Sequence, residues 1–534
     1  MSKRGKFFKV DEPLRHTHRP ITRRDLIGQG FRRGVGTVLG MSALSALSSR
    51  GFAISDEMFK GYTQTGSCDL ANVSGRKIPF ICFDLAGGAN ISGSNVLVGG
   101  PGGQEDFLST AGYSKLGLPA NMVPSVADGG NGNSDFINRQ LGLAFHSDSA
   151  MLRGILASAP SVATQQNTNG AVLPARSEND TGNNPHNPTY GIYRSGARGT
   201  LLQLTGSRAS ESGGNSLAPA MMIDPEVRPT KVDRASDVTG LVDVGDLSKV
   251  LTDPADVVSV METIKRISDL KLNKVNTGLA TDAALKERIS CEYLKSADSY
   301  EKFSDPAELD PSQDDNIIGP IFTREEYDSD REFQKTASVM KMVINGYAAA
   351  GTITMGGYDY HTGDRVTGEI RDERAGRCIG ACLEYAQAVG VPVMVYVFSD
   401  GSVSSNGMLD MNLANPKGQW TGDNSSTGAS FFLVYNPNGQ PILNSSAGRD
   451  QFQHQQLGWM RSDASVETSN VYAFANSVDR LAEAVVLNYA ALHGDAAVSA
   501  FDQNGAIYAD NKKHGLGTNL DHYIAFEPIV TGTL

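Results

Sequence analysis

Three short apolar runs constrain this chain more than any other feature. They are Ile78-Pro79-Phe80-Ile81-Cys82-Phe83-Asp84-Leu85, Thr352-Ile353-Thr354-Met355 and Val391-Pro392-Val393-Met394-Val395-Tyr396-Val397-Phe398. Runs this short and continuous read as strands buried on both faces. Each stops at a polar or Gly-rich tip: Asp84 to Gly88, Gly356 to His361, and Ser399-Asp400-Gly401. Phe431 to Tyr435 reads as a fourth strand. Helical spacing fills the intervals. Asp253-Pro254 is a good N-cap and first-turn pair, and Val257, Val258, Val260, Met261, Ile264, Ile267 and Leu270 follow it at helical spacing. Further helices are expected at 137–158, 279–299, 330–350, 367–389 and 474–493. Strands alternating with helices predict an α/β fold, a central mostly parallel sheet flanked by helices. Loop insertions are expected at about 89–135, 164–198, 205–250 and 300–328, and a polar tail at 496–534.

The N-terminus reads as an address. Thr22-Arg23-Arg24-Asp25-Leu26-Ile27 resembles the twin-arginine export consensus. The apolar stretch after it, Val35 to Leu47, is short and diluted by Gly and Ser. That suits a signal h-region and falls short of the roughly 20 apolar residues a bilayer span needs. Residues 1–53 are therefore expected to be a signal peptide read by the twin-arginine translocase, with Arg23 and Arg24 as its signature. The destination would be the periplasm or cell surface of a bacterium. Residues 1–53 hold eleven Lys/Arg and three Asp/Glu; without them the totals of 47 and 59 fall to 36 and 56, a net charge of −20. So acidic a chain repels phosphate backbones, which argues against a nucleic-acid partner. No later segment is long and apolar enough for a stable membrane span. Cys378 and Cys382 sit four apart on an expected helix and read as small core residues or, alternatively, a metal or redox pair.

Ligands of α/β sheets bind beyond the carboxyl ends of the strands. That places Asp359-x-His361, Asp400 and Asp84 where they can converge. A carboxylate and an imidazole two apart on extended backbone point the same way. They suit a divalent metal such as zinc, manganese or calcium, with Asp400 as a second carboxylate and Asp84 as a third. Ser92 or Ser94, in the Gly-rich loop after the first strand, is the candidate nucleophile. The alternative is that the acids cap loops and His361 orders a turn. His146, His186 and His454 are spare ligand candidates.

The ordered set of twin-arginine signal, Gly87-Gly88, Gly356-Gly357-Tyr358-Asp359-Tyr360-His361 and Val397-Phe398-Ser399-Asp400-Gly401 resembles the bacterial domain-of-unknown-function 1501 family of the alkaline phosphatase/sulfatase superfamily. The resemblance covers most of 75–495. It implies an alkaline phosphatase/sulfatase-like α/β domain over those residues and a metal-supported site acting on phosphate or sulfate esters. Asp359 and His361 match ligand positions, and Asp400 matches the later acidic position. The chain departs from the pattern at three places. Ala89-Asn90-Ile91-Ser92 has no acid after the Gly pair, Gly401-Ser402 has no Arg after it, and Asp423-Asn424-Ser425 stands where the family has Asp-His-Gly.

Two functions follow as expectations. One is a metal-dependent hydrolase of phosphate or sulfate esters. The other is a non-catalytic binding or assembly protein that keeps the fold, lacks part of the metal site and presents its long loops to a protein partner.

Overall fold

The computed structural model describes residues 77–124, 135–177, 184–242, 254–276, 306–445, 451–503, 507–508 and 513–530, with single positions at 282 and 286. The signal segment, including Arg23 and Arg24, and the expected helix at 279–299 lie outside these residues. The chain forms two compact units. The larger comprises Asp69–Val242 and Asp305–Leu534, the smaller Met1–Cys68 and Asp243–Ser304. In the smaller unit a helix runs over Pro254–Leu272, with Pro in its first position and a Lys265–Asp269 ion pair (2.6 Å) along one face.

The larger unit is built on a seven-stranded sheet. Its central strand is β1 (Phe80–Ala86). A hairpin of β2 (Ile137–Leu141) and β3 (Leu143–His146) leads to helix α1 (Ala150–Ser158). Then come β4 (Thr168–Pro174), helix α2 (Thr189–Arg194), β5 (Leu202–Gly206) and the short β6 (Thr230–Lys231). After the smaller unit's insertion follow α3 (Arg331–Ile344), β7 (Ala348–Gly356), α4 (Val366–Val389) and β8 (Val393–Ser399). A second hairpin, β9 (Val403–Asp410) and β10 (Lys417–Asp423), precedes β11 (Ala429–Tyr435) and α5 (Val478–Ala491). The sheet order is β4-β11-β8-β1-β7-β5-β6. β1 pairs in parallel with β7 and β8, β5 pairs in parallel with β7 and β6, and β11 runs antiparallel to β8 and β4. This is the expected mixed α/β fold with a mostly parallel central sheet.

Period-two alternation sends successive side chains to opposite faces. Phe80, Cys82, Met394, Tyr396 and Phe398 pack with Val485, Leu481 and Tyr489 of α5 and with Ile192 of α2. On the other face Val339 and Val343 of α3 press on Gly351 of β7. α4 closes on α1 where Gly376 and Gly380 remove side chains. A Cβ there would lie 2.0 Å from the Met151 carbonyl and 2.3 Å from that of Ile155. Cys82, Cys378 and Cys382 are buried free thiols, so the core reading of the helical pair is the one observed.

Three stretches differ from the sequence reading. Residues 137–158 are not one helix: Gly142, at φ +74°, turns the chain back so that Leu141 faces Leu143, and only Ala150–Ser158 is helical. The 164–198 stretch contains the fully buried strand β4. Its polar residues concealed it, and each is satisfied by a specific bond: Thr168 Oγ1 donates to the Thr164 carbonyl (2.6 Å) and Asn169 Nδ2 to that of Pro441 (2.9 Å). The stretch after 495 carries a helix, Asp495–Gln503, and buries Phe501, Tyr523 and Phe526 in the core below α5. Among the described residues no helix is long and apolar enough to cross a membrane.

Candidate metal centre

Because β8, β1 and β7 are parallel neighbours, their three polar tips emerge side by side. β7 passes through Gly356 and Gly357 into Tyr358-Asp359-Tyr360-His361. Tyr358 and Tyr360 are buried and anchor the segment. Tyr358 Oη donates to the Arg371 carbonyl (2.9 Å). Tyr360 Oη donates to Asp372 Oδ1 (2.8 Å) and accepts the Asn90 N–H (2.7 Å). With the two tyrosines turned inward, alternation turns Asp359 and His361 outward. Gly87 lies against this turn: a Cβ on it would sit 2.4 Å from the Asp359 nitrogen, and its φ of +122° excludes other residues without strain.

The chain then runs along β10. Asp364 pairs with Trp420, and the Gly363 N–H donates to the Trp420 carbonyl (2.9 Å). This pairing carries His361 to the end of β10, where Asp423 stands. His361 Nε2 lies 2.6 Å from Asp359 Oδ1 and 3.1 Å from Asp423 Oδ1. The three ligand atoms all lie within 4.8 Å of one another. The side chains are 53, 33 and 54 % exposed for Asp359, His361 and Asp423, so an ion reaches them directly from water.

The donor set fits a small divalent cation. Ligands at about 2.0–2.1 Å on a tetrahedron stand roughly 3.3 Å apart. The His361–Asp423 separation already matches, and the His361–Asp359 contact needs to open by about 0.7 Å. Two carboxylates and one imidazole leave a fourth position open, the pattern of catalytic rather than structural sites.

The other expected ligands do not join this group. Asp84 is fully buried, and its carboxylate accepts the N–H groups of Asn215 (2.6 Å) and Ser216 (2.8 Å) and the Ser216 hydroxyl (3.2 Å). Burial pushes its carboxyl above the usual range, opposed by the Ser216 and Asn215 N–H groups. Asp400 is also fully buried and binds the Gly87 N–H (2.7 Å) and Asn215 Nδ2 (3.3 Å). Both carboxylates brace the backbone beneath the site. The two candidate nucleophiles are occupied as well. Ser92 donates to the Thr427 carbonyl (2.7 Å), Ser94 accepts from Asn90 Nδ2, and each is 1 % exposed. Among the spare histidines, His146 faces the Met122 carbonyl, and burial lowers its pKa to about 4. His186 is buried against the Phe398 ring, and burial holds its pKa down at about 3. His454 faces the Ile524 carbonyl.

No protein-family model, curated protein or solved structure matches the chain.

The group therefore rests on geometry and donor chemistry. Asp423 is the member of the group that the sequence did not offer as a candidate. Its signal was its place in Asp423-Asn424-Ser425, where the resembled family has its last Asp before a His.

Proposed function

We propose that the protein binds one divalent cation through Asp359, His361 and Asp423, on an alkaline phosphatase/sulfatase-like sheet, and acts on phosphate or sulfate esters. The convergence of three ligand atoms from two distant segments carries this reading. A cation held there would polarise an ester oxygen and lower the pKa of a bound water. Asp359 and Asp423 would offer it carboxylate oxygens and His361 a ring nitrogen. The engaged hydroxyls of Ser92 and Ser94 favour water over a serine as the attacking group. They also favour the second reading, a cation-dependent binding or assembly protein without turnover.

Metal content separates these readings from a plain surface ion pair. Wild-type protein purified from its compartment is expected to carry about one zinc, manganese or calcium ion per chain, and the Asp359→Ala/His361→Ala double variant none. A folded wild type without metal overturns both cation readings. Metal without hydrolysis of any phosphate or sulfate monoester selects the binding protein.

We propose further that the protein is exported through the twin-arginine translocase to the periplasm or cell surface, on the strength of Arg23-Arg24 and the short apolar stretch behind them. Replacing both arginines with lysine is expected to leave the protein in the cytoplasm, detected by fractionation. Unchanged export would refute it.

A further inference from the structure

We propose that Arg371 is an anion-recognition residue beside the candidate metal centre, taking a tetrahedral oxyanion, phosphate or sulfate, as its ligand. α4 carries four arginines from its N-cap onward. Three have a carboxylate: Arg365 with Glu369 (2.9 Å), Arg374 with Asp330 (3.2 Å) and Arg377 with Glu326 (2.5 Å). Arg371 has neither an ion pair nor a side-chain hydrogen bond among the described residues, although acidic residues outnumber basic ones 59 to 47. A guanidinium offers five N–H donors in a rigid fork, matched to carboxylate or phosphate oxygens, and no acceptor among the described residues takes any of those of the half-buried Arg371.

Its position is specific. A Cβ built on Gly357 would fall 1.6 Å from Arg371 Nη1, so the guanidinium fills the space that only glycine vacates, and Gly357 has a φ of +87°. Gly357 is two residues before Asp359. The adjoining Gly356 is exposed, and a Cβ on it would meet nothing within 4 Å. The Gly pair thus seats a cation on one side and leaves open space on the other, at the strand end that leads into the Asp/His/Asp group. The Arg371 backbone is itself fixed, because its carbonyl accepts the Tyr358 hydroxyl (2.9 Å). A charge-assisted fork on a fixed backbone is suited to a non-bridging ester oxygen.

The inference deepens the reading of the trio as a cation site, and one experiment tells the two apart. Inorganic phosphate and sulfate are titrated calorimetrically into the full chain, with zinc and after chelation, for wild type, Arg371→Met and Arg371→Lys. Arg371→Met keeps an unbranched side chain on α4 and withdraws the guanidinium that lies over Gly357, and its melting temperature and zinc content are expected to stay at wild-type values. Its oxyanion affinity is expected to fall at least tenfold, and Arg371→Lys to recover part of the loss. Arg371-dependent binding that persists in a protein taking up no zinc would support this inference and sink the metal reading. Equal affinity in wild type and Arg371→Met, or no oxyanion binding by wild type in either state, overturns it.

Discussion

Replacing Glu369 with Ala is expected to destabilise the protein by about 3–5 kcal/mol, the cost of breaking a buried ion pair from one side. Glu369 Oε1 accepts from Arg365 Nε (2.9 Å) and Lys417 Nζ (3.0 Å), and Oε2 accepts from Arg153 Nη2 (3.1 Å). The Arg365 and Lys417 side chains are each only 2 % exposed. Burial opposes ionisation of Glu369, yet the two cations hold its pKa down at about 2. Without the carboxylate the buried Arg365 loses its carboxylate partner, and Lys417 beside it keeps only Asp148 (3.2 Å). The damage should reach the candidate metal centre. Lys417 opens β10, and Arg365 stacks on the Trp420 ring (4.2 Å) and donates to the Gly117 and Gly418 carbonyls. Those contacts hold the hairpin that ends in Asp423. Urea unfolding should therefore show the stability loss, and zinc titration a weaker site with all three ligands intact. Glu373→Ala is the control, since Glu373 is 49 % exposed and touches the cluster only at 3.7 Å from Arg153. That change should cost less than about 0.5 kcal/mol. Equal effects from the two substitutions would refute the account.

A second large effect concerns Asp372 and pH. This carboxyl is fully enclosed; it accepts from Tyr360 Oη (2.8 Å) and Asn95 Nδ2 (2.8 Å) and has no cation hydrogen-bonded to it. Burial raises its pKa to about 7; the Asn95 and Tyr360 bonds and Arg365 pull down, Glu369 pushes up. The unfolded chain releases this proton near 3.8, while the folded chain keeps it to about 7. The unfolded state therefore binds fewer protons across that window, and stability falls as pH rises through it. The loss is of order 4 kcal/mol in all, and roughly 3 kcal/mol of it falls between pH 5 and pH 8. Asp372→Asn removes the titration and keeps both partners, its carbonyl accepting from Asn95 and its amide donating to Tyr360. The variant should gain on wild type by roughly 3 kcal/mol between pH 5 and pH 8 in urea unfolding. Parallel pH profiles would contradict this.

The parts of the fold that sequence exposes are those whose physics is local. β1, β7, β8 and β11 are runs with nothing but burial to explain them. β4 is equally buried, but Thr168, Asn169 and Gly170 give it a polar look; Thr168 is satisfied by Thr164 four residues back, and Asn169 by Pro441 far along the chain. The stretch after 495 fails for a related reason: Phe501, Tyr523 and Phe526 are apolar anchors too sparse to make a periodic pattern. Asp359 and His361 were legible because two-residue spacing on extended chain fixes their common face. Asp423 was not, because its approach depends on Asp364 pairing with Trp420 across a loop. Asp84 and Asp400 had the right residue type at the right strand ends. What removed them from the group is the set of N–H donors from Gly87, Asn215 and Ser216, a feature of backbone placement that no spacing encodes.

The sheet order also governs how the chain comes to be folded. β1 is the first strand of the sheet to be synthesised, and it sits between β7 and β8, which end at Gly356 and Ser399. At about 5–20 residues per second, β1 waits roughly 15–60 s on the ribosome before both its neighbours exist. Until β7 is made the apolar segment Phe80–Ala86 has neither of the edges it will pair with, and until β8 is made it has only one. Pairing over such sequence separations makes for slow collapse and a nascent chain prone to aggregate. A molecule wired this way is complete only when its last third has been made, so a chain cut short before Ser399 should accumulate in inclusion bodies or bound to chaperones rather than as a smaller folded protein.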